Sequence, residues 1–204
     1  MSWACSLSRK LRKSLARWLA ARRVARAEPL RLSLGSGGLD APGWISTDRN
    51  VLDITCEPDW HRLLKDRPVD ALLAEHVWEH LSTDDGLQAA RHCFQALRTG
   101  GYLRIAVPDG YHPDPNYIAA VRPGGGGAGA RDHRVLFDCH TLTELLGQAG
   151  FSSTLLEWHD ESGQFHHCAW DPGQGMIRRS RRFDPRNCNG SLTYTSLIVD
   201  AIKP

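Results

Sequence analysis

Glycines and a carboxylate set around two short apolar runs form the first grouping in this chain suited to chemistry. Leu30 to Leu34 leads into Gly35-Ser36-Gly37-Gly38, and Trp44 to Thr47 leads into Asp48. Without a Cβ, a glycine backbone can turn sharply and approach a ligand closely. An acid at the carboxyl end of a second strand can accept both hydroxyls of a ribose. Such a grouping suits a nucleoside-bearing cofactor. A nicotinamide dinucleotide is disfavoured, because its fingerprint needs a third glycine where Asp40 stands and an acid about 20 residues on, whereas Asp48 follows sooner.

A second grouping supplies imidazoles and carboxylates. Glu75-His76-Val77-Trp78-Glu79-His80-Leu81 follows the apolar run Val69 to Ala74, and Asp109, Tyr111 and His112 follow the run Tyr102 to Val107. Histidine is the natural proton acceptor near neutral pH. Glu79 and His80 read as the start of a helix, which leaves His76 as the better base of its group, either as a base or as a backbone contact. The stretch from Pro108 to His140 is longer than a simple connection needs. Gly124 to Gly127 within it reads either as the hinge of a lid or as an ordinary glycine-rich surface loop. Asp132-His133, just after it, has the order of an acid-oriented base, so His76, His133 and Asp109 are the catalytic candidates. His166-His167-Cys168 does not suggest a metal, since neighbours in an extended segment point to opposite faces and no second ligand pair has zinc spacing. No metal is expected. Arg178, Arg179, Arg181, Arg182 and Arg186 suit a carboxylate or phosphate on a substrate, or form a solvated run that pairs with the acids of the body.

The order of these motifs resembles that of class I S-adenosylmethionine-dependent methyltransferases, in particular small bacterial-type ones with a glycine turn, a P-G-W-I strand and an E-H-x-x-E-H-L segment. Here these are Gly35-Ser36-Gly37, Pro42-Gly43-Trp44-Ile45 and Glu75 to Leu81, and the resemblance spans roughly Leu30 to Pro204. It implies S-adenosyl-L-methionine as cofactor and a Rossmann-like, doubly wound α/β fold whose sheet is mostly parallel with an antiparallel last strand. It also implies that Gly35, Ser36 and Gly37 face the methionine part with Ser33 and Glu75 nearby, that Asp48 holds the ribose, and that Asp53 and Ile54 hold the adenine. Two features depart from the pattern. Ser33 stands where an acid or Asn is usual, and the link from Ser36 to Gly43 is too short for a parallel crossover, so the first crossover helix must be absent or a turn.

Alternating strands and helices must position these residues. Strands are expected at 30–34, 44–47, 69–74, 102–107, 151–159 and 192–202, with an extended stretch at 51–54. Helices are expected at 59–65, 83–97 and 141–148. With 204 residues, 41% of them hydrophobic, the chain can bury one core. The apolar runs are short of the roughly 18 residues that span a bilayer. The six cysteines form no C-x-x-C pair and read as reduced thiols of a cytoplasmic protein.

Charge is unevenly spread. Arg9, Lys10, Arg12, Lys13, Arg17, Arg22, Arg23 and Arg26 precede Glu28 without one acid among them, which leaves 17 basic against 23 acidic side chains in the remainder. The chain therefore divides into a basic amphipathic helix, 1–27, and a domain, 28–204. Leu7, Leu11, Leu15, Trp18 and Leu19 fall at helical spacing, which suits an anionic membrane surface, a partner, or the protein's own domain. Nucleic acid is disfavoured, because the body is net negative and lacks an aromatic-interleaved basic face. The expected activity is transfer of a methyl group to an oxygen, less readily a nitrogen, of a small-molecule or glycan-like, anionic acceptor. A non-catalytic adaptor with the same fold is the alternative, and a nucleotide-sugar transferase is disfavoured for want of a paired-acid metal motif.

Overall fold

The computed structural model of the chain describes residues 2–37, 41–187 and 191–204, with side chains from Lys10 onward. Gly38, Asp40 and Cys188, and the side chains of Cys5, Leu7 and Arg9, lie outside the described residues. Seven strands form one sheet: β1 (Arg31–Leu34), β2 (Ile45–Ser46), β3 (Val69–Glu75), β4 (Leu97–Pro108), β5 (Ser152–His159), β6 (Phe165–His167) and β7 (Ser196–Ile202), in the order β2-β1-β3-β4-β7-β5-β6. The first three pairings are parallel, and β7 runs antiparallel between β4 and β5. This is the α/β fold class expected, with an antiparallel last strand. The order reverses at β1 and β3, since the chain leaves β1 for β2 on one side and β3 for β4 on the other.

The helices are α1 (Ser2–Val24), α2 (Glu57–Leu64), α3 (Thr83–Ala96), α4 (Pro115–Val121) and α5 (Cys139–Gln148). Local chemistry marks their ends. Ser82 caps α3 by accepting from the Asp85 amide at 3.1 Å, and Asp138 with Thr141 forms a capping box on α5. Residues 51–54 are irregular, turning chain rather than a strand, because Asp48 Oδ1 accepts the Asn50 and Val51 amides at their start.

Strand alternation divides the core in two. Leu32, Leu34, Leu72, Ala74, Leu103, Ile105, Leu197 and Val199 face a cluster shared with Val24 of α1, Trp60 of α2, Cys93 of α3 and Leu142 of α5. The alternate positions Ala71, Leu73, Ala106 and Ile198 pack with Trp44, Ile177 and Trp170. That face carries no helix from this set, and irregular chain around residues 170–180 straps it instead. The cause is the short link after β1, which leaves no room for a crossover helix on that side. Arg104, buried on this face, anchors the strap. Its guanidinium donates to the Asp171 and Gly175 carbonyls at 2.9 and 2.8 Å and makes a forked pair with Asp200.

The arm is less separate than its composition suggests. Ala20 and Val24 are buried in the main core, and Arg17 donates to the Asn50 carbonyl at 2.8 Å. The stripe read from the sequence points elsewhere: Leu11, Leu15, Trp18 and Leu19 are 68%, 57%, 52% and 48% exposed. No helix among the described residues is long and apolar enough to cross a membrane.

Candidate functional site

The turn after β1 is built for close approach. Gly35 has φ of 58°, and a Cβ there would lie 2.7 Å from Val77 Cγ2, so only glycine lets the chain leaving β3 close over the turn. The Ser36 amide donates to the Thr47 carbonyl at 3.0 Å, while the Thr47 amide and hydroxyl donate to the Ser33 carbonyl at 2.8 and 3.0 Å. These bonds clamp the end of β2 to the glycine turn without an intervening helix.

Two cavities open at the carboxyl ends of β1 and β3 and share Gly35 and His76. The first, about 530 Å³, lies on the strapped face among Ser33, Ser36, Trp44, Glu75, Met176, Arg178 and Arg179. The second, about 400 Å³, lies between Leu52, Asp53 and Ile54 on one side and Val77, His80 and Arg134 on the other. Of the expected cofactor residues, Ser33, Gly35, Ser36 and Glu75 line the first cavity, and Gly35, Asp53 and Ile54 the second. Gly37 and Asp48 line neither. Asp48 Oδ1 instead accepts the Asn50 and Val51 amides at 2.8 and 3.2 Å, which makes it a turn cap. Asp53 accepts from the Thr55 hydroxyl at 2.8 Å and pairs with Arg49 at 3.1 Å. Burial pushes its carboxyl up, but Thr55 and Arg49 together outweigh this and hold it below the usual carboxylate range. Glu75 accepts the Arg179 amide at 2.7 Å and so ties the strap to the end of β3.

The three expected bases do not converge. His76, with φ of 56°, lines both cavities. The Ser196 hydroxyl donates to the Arg179 carbonyl at 2.8 Å, so its oxygen is left to accept from His76 Nε2 at 3.0 Å, and His76 Nδ1 stands 2.7 Å from Glu79 Oε1. This proton placement is assigned from the network. Asp109 is fully buried and lines neither cavity. It accepts the amide and the ring Nδ1–H of His159 at 2.7 and 2.9 Å and the Tyr111 amide at 3.1 Å, so it organises the chain after β4. His133 turns its Nδ1 to the Val121 carbonyl at 2.6 Å rather than to Asp132. The alternative candidate His112 stacks on Tyr117 with 3.9 Å between ring centroids, and burial, with His159 beside it, pushes its pKa down. Gly124 to Gly127 folds tightly onto the end of α4. The Gly127 amide donates to the Ala120 carbonyl at 2.9 Å, and a Cβ at Gly125 or Gly127 would come within 2.6 or 2.7 Å of that oxygen. Close backbone packing explains Gly125 and Gly127.

Sequence reasoning missed three features. The strap that walls the first cavity has no periodicity to signal it. Arg134 reaches the second cavity because its amide donates to the Glu79 carbonyl at 2.6 Å. Glu79 and His80, in a 3₁₀ turn (Trp78–His80), meet His133 so that one ligand atom from each lies within 4.8 Å of the others. His166, by contrast, pairs with Asp160 at 2.6 Å.

No protein-family model matches this chain, and no curated protein matches it. Among solved structures it is similar to a SAM-dependent methyltransferase from Archaeoglobus fulgidus, at 12% identity and a TM-score of 0.46, over 98% of this chain and 99% of that one. It is also similar to the magnesium protoporphyrin IX methyltransferase of Synechocystis with bound SAH, at 12% identity and a TM-score of 0.46, over 100% of this chain and 89% of that one. At this level of similarity no residue role is carried over.

Proposed function

We propose that this chain is an S-adenosylmethionine-dependent methyltransferase. The observation that carries the reading is the pair of cavities joined at Gly35 and His76, outside the carboxyl ends of β1 and β3, where the strand order reverses. Open α/β sheets bind their ligands at that switch point. In this reading the second cavity takes the adenosine part, with the apolar walls Leu52, Ile54 and Val77 against the base and Asp53 at its edge. Gly35, Ser36 and Ser33 take the methionine part, and the ribose falls to Asp48, whose Oδ1 caps the turn after β2 and which lines neither cavity. The cofactor supplies an activated methyl group, and the protein's task is to align the acceptor and exclude water.

The rest of the first cavity suits an anionic acceptor, small or glycan-like, because Arg178 and Arg179 stand at its wall and arginine forks match carboxylate and phosphate. Of the three expected bases, only His76 is kept, because it alone of them lines these two cavities. Cys56, Cys93, Cys139 and Cys168 are free thiols, in keeping with the cytoplasm. The exposed stripe of α1, flanked by Arg12, Lys13, Arg22 and Arg23, suits peripheral contact with an anionic membrane.

The test is calorimetric titration of the full chain with S-adenosylmethionine and its demethylated product. Both should bind at one site. Asp48→Asn keeps the carbonyl oxygen that caps the turn but removes the charge, and should weaken binding about tenfold or more, as expected for a hydrogen bond to a charged group. Unchanged affinity in Asp48→Asn removes the ribose role, and absence of binding to the wild-type chain removes the methyltransferase reading.

A further inference from the structure

We infer that Glu79, His80 and His133 form a binding site for a divalent transition-metal ion at the edge of the second cavity. This reverses the expectation, drawn from spacing alone, that the protein uses no metal. One ligand atom from each of the three residues lies within 4.8 Å of the others. Glu79 is fully buried, and neither carboxylate oxygen has a hydrogen-bond partner among the described residues. His76 Nδ1 stands 2.7 Å from Oε1, an ion pair when the imidazole is protonated, while Oε2 has no hydrogen-bond partner among the described residues. A buried carboxylate with one oxygen left unpartnered is costly unless that oxygen also coordinates a cation.

The imidazoles are set for ligation. His133 gives its Nδ1–H to the Val121 carbonyl at 2.6 Å, which leaves the Nε2 lone pair free and fixes the ring, the arrangement that metal-bound histidines use. Its ring meets that of His80 edge-on, with centroids 4.8 Å apart. Metal bonds of about 2.1 Å hold ligand atoms within about 4.2 Å of one another. A contraction of a few tenths of an ångström among the three ligand atoms therefore completes the set. Two imidazoles and one carboxylate select a first-row ion such as zinc over calcium or magnesium. Because His80 also lines the second cavity, the remaining coordination positions face that space, as in sites that bind a substrate oxygen. What the ion contributes to methyl transfer rests on the reading above. Its binding does not.

The full chain, stripped with a chelator, should be titrated with Zn²⁺ by calorimetry, and its melting followed with and without Zn²⁺. One equivalent should bind and raise the melting temperature. Glu79→Gln and His80→Asn should each weaken binding by about tenfold or more and abolish the thermal shift, whereas His167→Asn, at an exposed position elsewhere, should change neither. If Glu79→Gln does not fold, His80→Asn decides alone. No saturable binding in the stripped wild type, or binding that His80→Asn leaves intact, overturns the site. Titration of the same stripped chain with the demethylated cofactor tests the methyltransferase reading separately.

Discussion

At the scale of single residues, the positions singled out by chemistry divide into those at the cavities and those that hold the fold. Gly35 does both. Gly35→Ala should cost about 1–2 kcal/mol for the left-handed backbone alone, before the contact between its Cβ and Val77 is counted. Adding Val77→Ala should recover the contact but not the backbone strain, so urea denaturation of the double variant should fall between wild type and Gly35→Ala. Full recovery would show that the backbone is unstrained. Asp109 belongs to the second kind. Its carboxylate accepts three hydrogen bonds in a fully buried place, so Asp109→Asn should lower stability by about 1–3 kcal/mol and leave the turnover of folded protein unchanged. A turnover loss of roughly a hundredfold at unchanged stability would restore it as a base.

At the scale of elements, α1, α2 and the turn after β2 meet at Asp59. Its carboxylate takes Arg62 on one oxygen, and the Asp53 amide and Arg17 on the other, at 3.1 and 3.4 Å. The Arg62 hydrogen bond, aided by the Asp53 amide and Arg17 and opposed by burial, holds Asp59 below its usual pKa. A carboxyl depressed in the folded state stabilises the fold above its unfolded pKa, near 3.9. That contribution is lost as pH falls through the lower folded value. The urea midpoint should therefore drop from pH 7 to about pH 3, and Asp59→Asn should be less stable at pH 7 with a shallower drop. An equal drop in both proteins would mean that this junction does not contribute.

At the scale of the whole molecule, the described side chains of the basic arm that pack on the acidic body lie in its second half, from Ala16 to Val24. Removing residues 1–27 deletes Ala20 and Val24 from the core as well as the Arg17 contacts, so that truncation should lower the melting temperature by several degrees, whereas removing residues 1–13 should not. The exposed stripe remains available to a surface. Full-length protein should co-sediment with anionic vesicles at low salt and be released as salt rises, since screening acts over about 10 Å at 0.1 M. Leu11→Glu with Leu15→Glu should abolish co-sedimentation at unchanged stability, and retention by that variant would exclude the stripe as the contact.

The main strands and helices, the glycine turn and the missing crossover were legible in the sequence, because each rests on local chemistry, whereas the short α4 and β6 and the irregular chain at 51–54 were not. Alternation, capping residues and a link too short for a helix act within a few residues of one another. Ser33, Gly35, Glu75 and His76 reach the cavities because they sit at or just past the ends of β1 and β3, whereas Asp53 and Ile54, named by the resemblance alone, border the second cavity from the link between β2 and α2. Only the tertiary structure decided the rest. The strap over the helix-free face, the diversion of Asp109 to His159, and the meeting of Glu79 and His80 with His133 depend on contacts between segments far apart in the chain. No local period or spacing records such contacts, because the energy that selects them is the burial and hydrogen bonding of the assembled sheet.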